Sequence, residues 1–170
     1  VTTTPQMPVA EWSAVEAESV IEAHAGLRGP LLPVLHALQD RFGYIDPRAL
    51  ALVAKRLNLS RADVHGVITF YKDFRSELPG AVQVQVCRAE ACQAMGAHEL
   101  AEHAKASLGI DFGSTTSDRA ASLDQVFCLG NCALGPSVTV DGRLYGRVDR
   151  SRFDTLLAGA LRARTGTSGA

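Results

Sequence analysis

Four cysteines carry the chemistry most open to reading in this chain: Cys87, Cys92, Cys128 and Cys132. They form two close pairs, C-x4-C and C-x3-C, separated by 35 intervening residues. Thiolates bind soft metals, and four of them complete the shell of a [2Fe–2S] cluster or of a structural zinc ion. The spacing by itself leaves both open. A dithiol redox enzyme would favour C-x-x-C, which is absent. Four unconnected core thiols fit poorly with two close pairs that each follow an expected strand. Gly96, Gly130 and Gly135 are placed where backbone N–H groups could approach the sulfurs and tune them. His24, His36, His65, His98 and His103 do not cluster with the cysteines, so they read as structural or surface residues.

A β-α-β-β-β-α order positions the pairs. Val82, Val84 and Val86 alternate with Ala81, Gln83 and Gln85, the pattern of a strand with one buried face. Ala97, Leu100, Ala101, Ala104 and Leu108 mark a helix ending at Gly109. A second strand fits Leu123 to Cys128. Ser137–Val140 and Arg143–Tyr145 flank Asp141-Gly142 as a hairpin. Phe153, Leu156, Leu157, Ala160 and Leu161 give a last helix, and the chain from Thr165 to Ala170 reads as frayed. A crossover helix between two strands makes them parallel, so both strands end on one edge of the sheet. Cys87 and Cys128 then sit at neighbouring strand ends, and the two following loops can present four thiolates to one point.

Ahead of this lies a helical part. Residues 1–10 read as a flexible tail and 11–77 as a helical bundle, with a break at Leu78-Pro79-Gly80 and an α/β domain over 81–164. A first helix covers 11–25 and stops near Gly26. Leu31, Leu35, Leu38 and Phe42 share a face of a second, with Pro30 in its first turn and Gly43 past its end. Asp46 as N-cap and Asn58 as terminator bound a third, whose stripe is Leu50, Val53 and Leu57. Ser60 and Asp63 open a fourth as a capping box, with Val64, Val67, Ile68 and Tyr71 inward.

Composition excludes several classes. Hydrophobic residues at 46% and charged residues at 21% argue for a folded globular chain. A net charge of −1 calls for neither nucleic acid nor an acidic membrane as partner. Apolar runs stop short of the roughly 20 residues a membrane span needs. The first residues, Val-Thr-Thr-Thr-Pro-Gln-Met-Pro, lack the pattern of a secretory signal, so a cytoplasmic location is expected, where cysteines serve as thiols or metal ligands. There is no Ser-His-Asp set, Walker loop or G-x-G-x-x-G run.

Two motif sets in order carry a family resemblance. Cys87 to Cys92, Cys128-Leu129-Gly130-Asn131-Cys132 and Asp141-Gly142-Arg143-Leu144-Tyr145-Gly146 resemble the thioredoxin-like [2Fe–2S] ferredoxins, and more closely the 24-kDa-type subunit of NADH dehydrogenases. Gly43-Tyr44-Ile45 and Val64-His65-Gly66-Val67-Ile68-Thr69-Phe70-Tyr71, with Phe74, resemble the helical module preceding the ferredoxin in that family. The resemblance implies an α/β chain with an N-terminal helical bundle and a thioredoxin-like ferredoxin domain. It also implies one [2Fe–2S] cluster, rather than zinc, on Cys87, Cys92, Cys128 and Cys132.

The run Cys87-Arg88-Ala89-Glu90-Ala91-Cys92-Gln93 is similar to the gamma subunit of soluble, molybdenum-containing NAD-dependent formate dehydrogenases. That similarity implies a non-catalytic electron-transfer subunit. Its partners would be an FMN- and NAD-binding flavoprotein subunit and, through the complex, a molybdenum-containing catalytic subunit. The equivalent small subunit of complex I or of an NAD-linked bidirectional hydrogenase is the rival within the class, and a zinc-stabilised binding module the rival outside it. Arg88 either offsets the cluster's negative charge or serves as a solvated loop or partner-contact residue. Phe70-Tyr71 and Phe74 either meet the flavoprotein or close the bundle.

Overall fold

The computed structural model of the chain describes residues 10–165. Residues 1–9 of the expected tail and 166–170 of the expected frayed end lie outside the described residues. The described residues divide into two compact units, one up to Leu78 and one from Pro79.

The first unit is four helices: α1 (Ala14–Ala25), α2 (Leu31–Phe42), α3 (Ala49–Leu57) and α4 (Arg61–Phe70). Local chemistry sets their ends. Ser13 caps α1, and Ser60 with Asp63 forms a full capping box on α4. Pro30 stands just before α2 rather than within its first turn, and Gly43 ends that helix in the left-handed conformation, φ 77°. Asp46 lies two residues before Arg48, the residue that stands at the N-cap of α3. It closes a turn instead: its Oδ1 accepts the Arg48 N–H at 2.8 Å, and its carbonyl accepts from Ala49 N–H at 2.8 Å.

The core of this unit includes Val34, Leu35, Leu38, Phe42, Val53, Val64 and Phe74. The α3 stripe differs from the expected one. Ala49 and Ala54 enter the core with Val53, while Leu50 and Leu57 are half-buried, because small residues let α3 approach closely. Tyr71 does not join the α4 face either; it is 41% exposed and Phe70 76%, whereas Phe74 is buried against His36. Phe74 therefore closes the bundle and Phe70 does not.

The second unit is a five-stranded mixed sheet in the order β2-β3-β1-β4-β5, with β1 (Val82–Cys87), β2 (Ser114–Thr115), β3 (Ala121–Val126), β4 (Val138–Val140) and β5 (Arg143–Tyr145). β1 and β3 are parallel, with Val82 opposite Ala121 and Cys87 opposite Val126; the other pairings are antiparallel. Gly80 makes this start possible: a Cβ there would lie 2.4 Å from the Ala121 carbonyl carbon. The Gly80 N–H donates to Ser122 Oγ at 2.6 Å.

Helices α5 (Glu90–Ala94), α6 (Ala97–Leu108) and α7 (Arg150–Thr165) complete the unit. α6 and α7 bury Leu100, Ala101, Ala104, Phe153 and Leu157 against Val82, Val84 and Val86. Gln83, Gln85 and Thr139 are polar by alternation, and Thr139 donates to Gln85 across the strands at 2.9 Å. Two elements depart from the sequence expectation. The two-residue β2 was not expected, nor was α5, which begins between the first two cysteines and carries the second of them. Among the described residues no helix is long and apolar enough to cross a membrane.

Candidate metal centre

Cys87 is the last residue of β1, and Cys128 follows β3 by two residues, so both first cysteines stand at the carboxyl edge of two adjacent parallel strands. β3 ends at Val126, earlier than expected, which leaves Phe127 and Cys128 outside the ladder. Cys92 sits on α5, and Cys132 opens a 3₁₀ turn over Cys132–Leu134. α5 and that turn pack against each other, which brings the second members of the two pairs to the same place.

The pairs differ in environment. Cys87 and Cys92 are each 1% exposed, in a small apolar cluster with Ala97 and against Ala89, Val126 and Leu129. Cys128 and Cys132 are exposed, and all four thiols are free of disulfides. The Sγ atoms of Cys128 and Cys132 are 3.8 Å apart. Two sulfurs bound at about 2.3 Å to one tetrahedral metal lie about 3.8 Å apart, so this pair already spans one edge of such a shell.

Thiol crowding appears in the acidities as well. Burial pushes the Cys92 thiol up, the hydrogen bond with Cys87 adds to it, and the Ser137 backbone pulls it down. The Cys132 thiol is pushed up first by its hydrogen bond with Cys128, then by that neighbour's charge, with Cys87 contributing from across the site. A bound cation would relieve this crowding by favouring the thiolate form. Four thiols gathered at one edge of the sheet offer a full set of ligands to a [2Fe–2S] cluster or to a zinc ion.

The backbone supports this fit. The Gly130 N–H donates to Cys128 Sγ at 3.3 Å, from a residue at φ 72° where side chains are disfavoured. Gly135 packs on the buried pair: a Cβ there would sit 3.4 Å from Cys92 Sγ. Gly96 does not serve a sulfur, because its N–H goes to the Gln93 carbonyl and it opens α6 at φ 94°. No histidine joins the centre; His103, for example, pairs with Asp154 at 2.7 Å.

Two residues that sequence reasoning passed over tie the loops together. Ser137 accepts the Cys87 N–H on its carbonyl at 3.0 Å, and its backbone also hydrogen-bonds Cys92. Its Oγ is 3.1 Å from Asn131 Nδ2, in the middle of the second cysteine loop. Asn131 in turn lies so close to Gly146 that a Cβ there would be 2.6 Å from Nδ2. The only signal in the sequence was their place: one between two cysteines, the other opening a strand.

The chain is similar to known proteins over most of its length. The family model for thioredoxin-like [2Fe–2S] ferredoxin matches residues 17–161. The chain is 35% identical over 143 residues to the NADP-reducing hydrogenase subunit HndA of Solidesulfovibrio fructosivorans, covering 84% of each chain. It is 33% identical over 153 residues to an NADH-quinone oxidoreductase subunit of Rhizobium meliloti, covering 90% of this chain and 91% of that one. It is also 34% identical over 139 residues to the NADH-quinone oxidoreductase subunit 2 of Thermus thermophilus, covering 81% of this chain and 76% of that one. In fold it is similar to an NAD+-reducing [NiFe]-hydrogenase crystallised in the air-oxidised state, with a TM-score of 0.65 and 24% identity. That likeness covers 78% of this chain but 23% of the other, so this chain spans about a quarter of that longer polypeptide.

Proposed function

The chain belongs to the thioredoxin-like [2Fe–2S] ferredoxin family, and on that premise we propose that it is the electron-transfer subunit of a cytoplasmic NAD-dependent formate dehydrogenase. Cys87, Cys92, Cys128 and Cys132 would hold the cluster through their sulfurs. The observation that carries this reading is the junction of a buried pair and an exposed pair at adjacent parallel strand ends. The cluster supplies one-electron uptake and release with little movement of its ligands.

The chain's own residues do the rest. The apolar cluster around Cys87 and Cys92 keeps water from one side of the centre. The exposed pair brings sulfur to the surface, where an electron can pass to a docked partner. The Gly130 N–H and the Ser137 backbone donate toward sulfur, which favours added negative charge. The partner that takes and returns the electron is an FMN- and NAD-binding flavoprotein subunit, with a molybdenum-containing catalytic subunit beyond it. The Cys87-Arg88-Ala89-Glu90-Ala91-Cys92-Gln93 run supports formate as the substrate of the whole assembly.

A second reading, the small subunit of an NAD(P)-linked hydrogenase or of an NADH-quinone oxidoreductase, is favoured by the names of the relatives at 33–35% identity. Isolation of the chain with its native partners, followed by metal analysis and assay, separates the two. Molybdenum and formate-dependent NAD+ reduction are expected. Nickel with hydrogen-dependent reduction, or quinone reduction without molybdenum, would replace formate with the second reading. A colourless chain with one zinc would remove both.

A further inference from the structure

Arg88 stands apart from the other cations of its surroundings. Its Nε is buried and has no hydrogen-bond partner. Its guanidinium carbon lies 5.7 Å from the centroid of the Phe112 ring. Lys105 stands over the same ring at 5.1 Å, but it also reaches Glu102 at 3.3 Å and Asp111 at 3.0 Å. Elsewhere Arg41, Arg48 and Arg56 each meet a carboxylate. A buried guanidinium N–H without an acceptor is costly unless some nearby negative charge offsets it, and the guanidinium cannot shed its proton to escape.

The backbone of Arg88 is held on both sides. Its N–H donates to the Val126 carbonyl at 2.7 Å, and its carbonyl accepts from Gln93 Nε2 at 2.8 Å. Arg88 is thus fixed between Cys87, at the end of β1, and the helix that carries Cys92. A cluster of two ferric ions, two sulfides and four thiolates is a dianion, and a trianion after one electron. Such a charge, held on Cys87 and Cys92, stands next to Arg88 along the chain.

We infer that Arg88, next to Cys87 in the chain and perched on Phe112, is a fixed positive charge that raises the reduction potential of the cluster. Phe112 is a positioning residue: its ring lies against the guanidinium, whose Nε is buried, and fixes where the charge stands. The inference rests on the cluster reading above and adds to it the residue that sets the potential.

The test is an EPR-monitored redox titration of the anaerobically purified full chain, at low and high salt, with iron and sulfide counted in every sample. Arg88→Gln is expected to keep its iron and to shift the midpoint to a more negative value at both salt concentrations. Arg88→Lys should return most of the shift, and Phe112→Leu should show part of it. An unchanged midpoint in fully loaded Arg88→Gln overturns the inference and leaves Arg88 as a partner contact. Where that variant fails to load, an unchanged midpoint in loaded Phe112→Leu overturns it equally. Failure of the cluster reading is a different result: a wild-type chain without iron and sulfide.

Discussion

Cys87 and Cys92 are each 1% exposed while Cys128 and Cys132 meet solvent, so one substitution faces two different environments. A serine can replace a cysteine ligand only as an alkoxide, and burial opposes that charge. Cys92→Ser is expected to lower cluster occupancy at least about tenfold, as loss of metal support does elsewhere. Cys128→Ser and Cys132→Ser are expected to keep most of the cluster, with an altered potential. Iron and sulfide per chain, read with the visible spectrum, check the contrast.

Asp46 gives a second prediction at this scale. The Arg48 side chain, through its hydrogen bonds, holds the Asp46 carboxyl down to about 2 from an ordinary 3.8. As the pH falls, the unfolded chain takes up this proton first. The stabilisation is therefore complete above about pH 4 and is lost between about pH 4 and pH 2. Arg48 is 65% exposed, so solvent screening reduces the contribution to about 1–2 kcal/mol. Asp46→Asn should flatten the acid limb of Tm against pH by that amount.

At the scale of elements, two glycines make opposite predictions. Gly80 lets the start of β1 pass against β3, and a Cβ would meet only Ala121 backbone, at 2.4–2.8 Å. Backbone cannot swing aside, so Gly80→Ala should destabilise the chain by about 3 kcal/mol. It should also weaken cluster retention, since Cys87 and Cys128 depend on those two strands. Gly66 lies inside α4 with nothing within 4 Å of a built Cβ. Gly66→Ala should therefore stabilise by about 0.5–1 kcal/mol and leave the cluster untouched. Chemical denaturation of both variants tests the pair. The elements that escaped sequence reading share one cause. Five residues of α5 and two of β2 are too few to show a period, and contacts with the rest of the unit hold them.

At the scale of the whole molecule, each unit encloses its own hydrophobic core, and all four cysteines belong to the second. A group that binds only the native second unit stabilises that unit alone. Stripping the iron with a chelator is expected to lower one calorimetric transition, that of the unit from Pro79 onward. The transition of the helical unit should stay in place. A single transition that falls as one would show that the two units unfold together.

Much of this protein was legible in its sequence because the signals were local or periodic. Valines alternating over Val82–Val86 specify a strand and Ser60 with Asp63 a helix start, while two close cysteine pairs point to a thiolate metal site. The resemblance carried by those pairs pointed to iron–sulfur. Only the tertiary structure decided that the thiols stand as a buried pair and an exposed pair. It alone set Ser137 between the two loops and Arg88 on Phe112 without a carboxylate. These features arise where residues distant along the chain meet, and neither burial nor a missing partner leaves a trace in spacing.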